Sequence, residues 1–285
     1  MKTSAFAVLG TAVGLSALHA EEKKAGLSRV VLIRRQDALD ENLQFNENVI
    51  KQMLDEAVMA LFEQDDPVKV FKQLLKPEDI VGIKTNVWNY LPTPAELENA
   101  IKQRVLDAGV KPENIGLDDR GVRQNPIFQK ATALINVRPV RTHYLSGLSG
   151  CMKNFITFGE NWPDYHPNNC EDLATLFQLP MVKGKTRLHV LSVLTPQFHS
   201  RGPHNFDRRY VWEYKGLLVG TDPVAVDSVG LRIIMAKRTE HFGSENRLPA
   251  LPRHVRAADV KHGLGNSDPE KIQLVKLGWQ EGILI

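Results

Sequence analysis

The sequence predicts an α/β protein, a three-layer sandwich with a mostly parallel or mixed central sheet. Short apolar, β-branched runs alternate with segments whose apolar residues recur at helical spacing over most of the chain. Of the 285 residues, 42% are hydrophobic and 24% are charged, which is a globular composition. Polar and reactive residues follow several strand-like runs, where α/β proteins usually keep their binding sites. We interpret residues 24–285 as a single domain, with 151–184 as an excursion from the sheet.

The strands are predicted from runs of four to seven mainly apolar residues that end in polar or glycine-containing turns. The first such run is Arg29-Val30-Val31-Leu32-Ile33, and the strongest is Leu188 to Leu194. In chain order, the runs lie at residues 29–33, 80–83, 114–117, 133–137, 188–194, 216–220 and 272–275.

The helices are predicted from apolar spacing and from start signals. Residues 48–62 have an apolar residue at every third or fourth position. Thr93, Pro94 and Glu96 form a capping box with proline at the first helical position. Asp222 and Pro223 predict a helix capped by the Asp222 carboxylate, with Asp227 in its first turns. In chain order, the predicted helices cover residues 48–62, 67–75, 93–109, 150–158, 171–177 and 222–234.

The first 20 residues predict a signal peptide. Residues 5–20 are uncharged, small or apolar, end in Leu18-His19-Ala20, and precede four charged residues. Residues 1–7 resemble the middle of a twin-arginine export signal, although the arginine pair is not in the printed sequence. We therefore expect an exported, periplasmic or extracytoplasmic protein, using a shortened twin-arginine signal or the general secretory route. No membrane span is expected in the mature protein, because the apolar run is too short.

The net charge of the chain does not indicate a nucleic acid or another strongly charged macromolecule as a partner. The formal net charge is +3, and the basic residues are interleaved with acids, so no nucleic-acid groove is expected. The chain has two cysteines, too few for a disulfide scaffold.

The segment 141–154 has the densest chemistry in the chain. It contains His143, Cys151, Lys153 and Asn154 in a glycine-punctuated stretch after a predicted strand. We expect His143 and Lys153 to be catalytic residues if the protein is an enzyme. Gly150 is expected to allow close backbone approach to a cofactor, with Asn154 beside it.

Several blocks of the chain resemble the family called domain of unknown function 362 (DUF362). The blocks occur in the family's order: 81–86, 107–115, 134–137, 142–143, 153–154, 219–227 and 263–272. The resemblance implies an exported protein, in a family some of whose members are associated with iron–sulfur modules. It brings no established reaction. Arg141 departs from the family pattern, in which lysine is expected before Thr142-His143.

Cys151 and Cys170 lie 19 positions apart and leave several interpretations open. A disulfide would close the excursion, and a pair of unconnected buried thiols is also compatible with the spacing. Two chains would together supply four thiolates for one 4Fe–4S cluster on a dimer axis. A zinc site with a histidine such as His143 or His166 is a further alternative.

A crevice is expected where neighbouring parallel strands end. Lys84, Asn86 and Asp119 each follow a predicted strand and are predicted to bind a substrate there. The Gly-Pro turn at 199–204 follows the strong strand and places the predicted substrate-binding residues His199, Arg201 and His204 at its end.

The leading hypothesis is an exported homodimer that holds a 4Fe–4S cluster through Cys151 and Cys170 of two chains and exchanges electrons with a redox partner. The alternative is an enzyme, metal-assisted or cofactor-free, that acts on a small anionic substrate in the strand-end crevice, with a Cys151–Cys170 disulfide. A third hypothesis is a binding module without turnover.

Overall fold

The computed structural model describes residues 26–199 and 206–285. The predicted signal peptide lies outside these residues, as do Arg201 and His204. In the part that is described, no helix is both long enough and apolar enough to cross a membrane.

The centre of the fold is an eight-stranded sheet. Seven strands form a continuous path in the order β3-β2-β4-β6-β7-β1-β8, and β5 pairs with the end of β4. All pairings on the path are parallel except those of β7, which runs opposite to β6 and β1. The strands are β1 (Ser28–Arg34), β2 (Val81–Lys84), β3 (Ile115–Asp118), β4 (Ala133–His143), β5 (Gly147–Ser149), β6 (Thr186–Gln197), β7 (Gly216–Gly220) and β8 (Ile272–Gly278).

Helices cover both faces of the sheet, which confirms the predicted α/β sandwich. The first three helices pack on one face, and α7 and α8 pack on the other. Their bounds are α1 (Glu47–Phe62), α2 (Pro67–Leu74), α3 (Ala95–Asp107), α4 (Pro126–Lys130), α5 (Cys151–Asn154), α6 (Pro167–Cys170), α7 (Pro223–Phe242) and α8 (Arg253–Val260).

Two apolar cores form because side chains alternate along the strands. In β1, Val31 and Ile33 pack under α1, whereas Val30 and Leu32 pack under α7. Both sets are fully buried. The sequences of these strands are therefore continuous apolar runs, as expected when a sheet is covered by helices on both faces.

Asp222 connects the start of β1 to the loop around Asn266. As predicted, it caps α7, accepting the Val224 N–H at 2.8 Å. Its other carboxylate oxygen accepts from the Ser28 hydroxyl at 2.5 Å and from the Asn266 N–H at 2.8 Å. A side chain at Gly265 would collide with this carboxylate. The blocks around 222 and 265 are therefore linked by structure.

Two predicted boundaries are wrong. The strand expected over 133–137 continues to His143, so Arg141–His143 belong to β4 rather than to a loop. The capping box does not form, because the residue preceding α3 is Pro94. The Thr93 hydroxyl instead accepts from the Asn86 N–H at 3.1 Å and holds the 86–93 loop closed.

Candidate functional site

A pocket of about 130 Å³ lies at the C-terminal ends of β2 and β3, beside the outer part of β4. We call it the strand-end pocket. This is the position predicted for the crevice, and it brings together residues more than 60 positions apart in the chain. Among the residues that line it are Asn86, Trp88, Asp119, Arg138, Arg141, His143, Lys153 and Asn154.

Lys84 and Asp119 form a buried ion pair behind the pocket wall. Lys84 Nζ lies 2.5 Å from Asp119 Oδ1 and 2.7 Å from the Thr85 carbonyl oxygen. Burial lowers the pKa of Lys84 to about 8, although Asp119 opposes this shift. Burial would raise the pKa of Asp119, but Lys84 and the Val87 N–H together hold it below its usual range. The carboxylate is thus already engaged on both oxygens.

Asn154 connects β2 and β4 at the floor of the pocket. Its amide nitrogen donates to the Asn136 side chain at 2.8 Å and to the carbonyls of Lys84 and Val137 at 3.2 Å. Its amide oxygen accepts from Lys84 at 3.4 Å and from Asn86 at 3.3 Å. A side chain with several short contacts of this kind is fixed in position, so Asn154 orients the polar groups around it.

Two arginines of β4 reach the same pocket. In a regular strand, residues three positions apart point to opposite faces of the sheet. The pairing of β4 with β6 is irregular between Pro139 and Arg141, where the proline has no N–H to donate. Strict alternation is not kept there, and both Arg138 and Arg141 line the pocket.

Arg138 is a buried cation that forms no ion pair with any acid in the described part of the chain. Its side chain is 2% exposed, its Nε donates to the Pro139 carbonyl at 3.1 Å, and its Nη2 has no hydrogen-bond partner among the described residues. Burial lowers its pKa to about 10, with Asp119 and Asp227 as opposing charges. A buried guanidinium with an unused donor has an energetic cost that a bound anion would offset.

Arg141 is held by neutral groups. Its Nη1 donates to Asn86 Oδ1 at 3.2 Å, and its guanidinium carbon lies 4.1 Å from the centre of the Trp88 ring. Burial, and then the charge of Arg138, lower its pKa well below the usual value. Two like charges thus share one side of the pocket.

His143 is neutral. Burial, followed by the nearby charge of Lys153, lowers its pKa to about 2. The Leu145 N–H donates to its Nδ1 at 3.2 Å, so the ring proton is on Nε2. His143 therefore offers the pocket a neutral N–H donor, which suits a developing negative charge on a substrate oxygen.

Lys153 is buried beside neutral partners. Its Nζ lies 3.3 Å from His166 Nε2 and 3.7 Å from Cys170 Sγ. Burial lowers its pKa to about 8. Burial also lowers the pKa of His166, so the imidazole accepts rather than repels the ammonium.

Asp227 anchors the turn that carries Lys153 and Asn154. Although Asp227 belongs to α7, its carboxylate accepts the first N–H groups of α5, from Cys151 at 2.5 Å and from Met152 at 3.0 Å. A Cβ at Gly150 would lie 2.1 Å from Asp227 Oδ1. Gly150 thus has a structural role, since it lets the carboxylate reach α5, and its predicted contact with a cofactor stays a prediction.

The two cysteines are free and buried. No disulfide joins them, so the predicted Cys151–Cys170 bond is not formed. Both are 0% exposed, and burial raises the pKa of each thiol. Asn168, Asn169 and Cys170 all have left-handed backbone conformations, with φ between 51° and 64°. Of the interpretations open from the sequence, the structure matches separate buried thiols.

These thiols do not fit a cluster shared between two chains. A bridging cluster needs its sulfurs at the surface that faces the partner, whereas both thiols lie inside the chain. Within residues 26–199 and 206–285, no three His, Cys, Asp or Glu side chains are arranged to hold a metal ion, which also applies to the zinc alternative. The 4Fe–4S cluster stays a prediction from the sequence.

His199 lies elsewhere. Its ring packs 4.6 Å from the Tyr210 ring and 5.2 Å from the Phe242 ring, and its Nδ1 is 3.2 Å from Arg238. It does not line the strand-end pocket. Arg201 and His204, predicted with it, are outside the described residues.

A comparison with known protein families matches part of the chain. A family model described as domain of unknown function (DUF362) matches residues 114–232, which confirms the predicted family for this segment. The blocks at 81–86 and 263–272 lie outside the match. Searches of curated proteins and of solved structures found no significant match.

Proposed function

We propose that this protein binds a small anionic substrate in the strand-end pocket and performs acid–base chemistry on it. Most of the charged groups of the pocket belong to the segment that matches the DUF362 model. This proposal is the enzymatic alternative from the sequence, without its disulfide. A binding module without turnover remains the simpler form of the same proposal.

The main support for the proposal is that Arg138 Nη2 is a buried donor with no acceptor among the described residues. Buried guanidinium groups are normally paired with carboxylates, and an unpaired one is costly. Asp119, the acid that acts most strongly on the charge of Arg138, is occupied by Lys84 and by the Val87 N–H. A carboxylate or phosphate in the pocket would accept from Arg138 and neutralise the charge shared with Arg141.

The other groups support proton transfer. His143 presents a neutral N–H, and Lys153 has a pKa of about 8, so it exchanges a proton near neutral pH. Asn86 and Asn154 fix the orientation of the site through their shared hydrogen bond at 3.3 Å. The Lys84–Asp119 pair sets the geometry of the pocket wall.

Isothermal titration calorimetry with inorganic phosphate, acetate and lactate tests the proposal. We expect one of these anions to bind the wild type, and Arg138→Met to weaken that binding by about 10- to 100-fold through loss of a charged hydrogen bond. Arg187→Met is the matched control, because Arg187 lies at the opposite end of the sheet and bonds to the Gly184 carbonyl. Failure of all three anions to bind, or equal binding to Arg138→Met, would contradict the proposal.

A further inference from the structure

The two buried lysines at this site differ in what holds their charge. Lys84 has a carboxylate at 2.5 Å, a carbonyl at 2.7 Å and an amide oxygen at 3.4 Å, which match its three donor hydrogens. Lys153 has an imidazole at 3.3 Å and a thiol at 3.7 Å, and no acid within ion-pairing distance among the described residues. All three donor positions of Lys84 Nζ are therefore taken by oxygen acceptors, whereas Lys153 Nζ remains available to a ligand.

The surroundings of Lys153 suit a reactive amine. It lines the pocket in which Arg138 and Arg141 lie, so a ligand anion held by these arginines would meet its Nζ. Desolvation and neighbouring cations are the two conditions that make a lysine nucleophilic at neutral pH. His143 lines the same pocket and would donate to the oxygen of a carbonyl group.

We propose that Lys153 forms an imine with a short 2-oxo acid whose carboxylate is held by Arg138 and Arg141. The inference deepens the proposed function and rests on it, because it names the anion as one that carries a carbonyl group next to its carboxylate. A pocket of about 130 Å³ limits the acid to a few carbon atoms, of the size of glyoxylate or pyruvate.

The chemistry balances without an external oxidant or reductant. The Lys153 ammonium first gives one proton to His166, and the free electron pair forms a bond to the carbonyl carbon. The carbonyl π electrons move to oxygen, which takes up that proton and gives a carbinolamine. After a second proton moves from nitrogen to the hydroxyl group, the nitrogen pair expels water. The sum is ammonium plus ketone giving iminium plus water.

Reductive trapping tests the inference. The full chain is incubated with pyruvate or glyoxylate and sodium cyanoborohydride, which reduces an imine to a stable secondary amine. Peptide mapping by mass spectrometry then locates the label. We expect one label per chain on Lys153, formed faster than on surface lysines and faster than in urea-denatured protein.

Three variants sharpen the experiment. Lys153→Arg keeps the charge and should lose the label, while Lys84 and the surface lysines keep their background rate. Arg138→Met retains the amine and should lower the rate at Lys153 by about tenfold. Arg187→Met should leave it unchanged.

The outcomes separate the two proposals. Lactate, which has a hydroxyl group in place of the 2-oxo group and cannot form an imine, is titrated in parallel. Lactate binding without trapping at Lys153 overturns the imine and leaves the anion site standing. Absence of both anion binding and trapping contradicts the proposed function itself. Label distributed over many lysines at the denatured rate also overturns the inference.

Discussion

Arg104 in the helical layer and Arg138 in the strand-end pocket are both largely buried, and their surroundings are opposite. Arg104 donates to both oxygens of Asp55 at 2.6 and 2.5 Å and to Asp107 at 2.6 Å. These bonds raise its pKa, whereas burial without an acid partner lowers that of Arg138. Arg104 is paired with carboxylates where it joins two helices, whereas Asp119, the carboxylate that lines the strand-end pocket, is engaged by Lys84 rather than by Arg138.

The largest expected effect is a difference in the free energy of unfolding between variants of the two arginines. Arg104→Met removes three charged hydrogen bonds from two half-buried carboxylates, although Asp55 keeps Lys51 and Asp107 keeps Gln103, and should cost about 2 kcal/mol of the free energy of unfolding. Arg138→Met removes an uncompensated charge and should cost little or be stabilising. Urea denaturation at pH 7.5 measures both. Similar losses for the two variants would mean that Arg138 is a structural residue.

The second prediction concerns the pH dependence of stability that results from a buried histidine without a partner. His254 in α8 has no partner for either ring nitrogen among the described residues, and burial lowers its pKa to about 3. The unfolded chain, with an ordinary histidine pKa of about 6.5, binds a proton that the folded chain rejects, so stability falls as the pH drops below that value. Between pH 7.5 and pH 5, this one histidine should cost about 2 kcal/mol.

His254→Phe should remove that part of the acid sensitivity, as measured by urea denaturation at both pH values. His262→Phe is the control, since His262 lies 2.9 Å from Asp172 on the surface. The prediction would be wrong if His254→Phe lost as much stability on acidification as the wild type.

The third prediction concerns the two thiols and has the smallest expected effect. Because both are buried and protonated, we expect anaerobically purified protein to be colourless, and Cys170→Ser to retain the anion affinity of the wild type. The measurements are iron content, the visible spectrum and calorimetry. About two irons per chain, with loss of iron and of a dimer in Cys151→Ser, would instead establish the shared 4Fe–4S cluster.

Much of the fold and part of the site are visible in the sequence. Lys84, Asn86 and Asp119 were predicted to meet because each follows a parallel strand. Asn86 and Asp119 do line the pocket with His143 and Lys153, whereas Lys84 is fully buried behind its wall and pairs with Asp119. These residues are found by a rule of topology that does not depend on side-chain detail.

Arg138 was missed, because the interpretation ended its strand at Val137. The available signal was a pair of arginines around Pro139 in an otherwise apolar run, which is costly in a buried strand. Burial of Cys151 and Cys170 was not predictable from their spacing, since it depends on α7 and α8 packing over them. Thr93 failed as a cap because its hydroxyl has a competing partner in Asn86.

The position of β1 has a consequence for how the chain folds. This strand lies between β7 and β8, so Val30 pairs with Gly220 on one side and with Leu274 on the other. During synthesis, the segment must wait for about 190 further residues before its first neighbour emerges. At typical ribosomal rates that is on the order of ten seconds or more. Folding should therefore be slow and should finish only after β8 is made, with β1 exposed to aggregation or to chaperones in the interval.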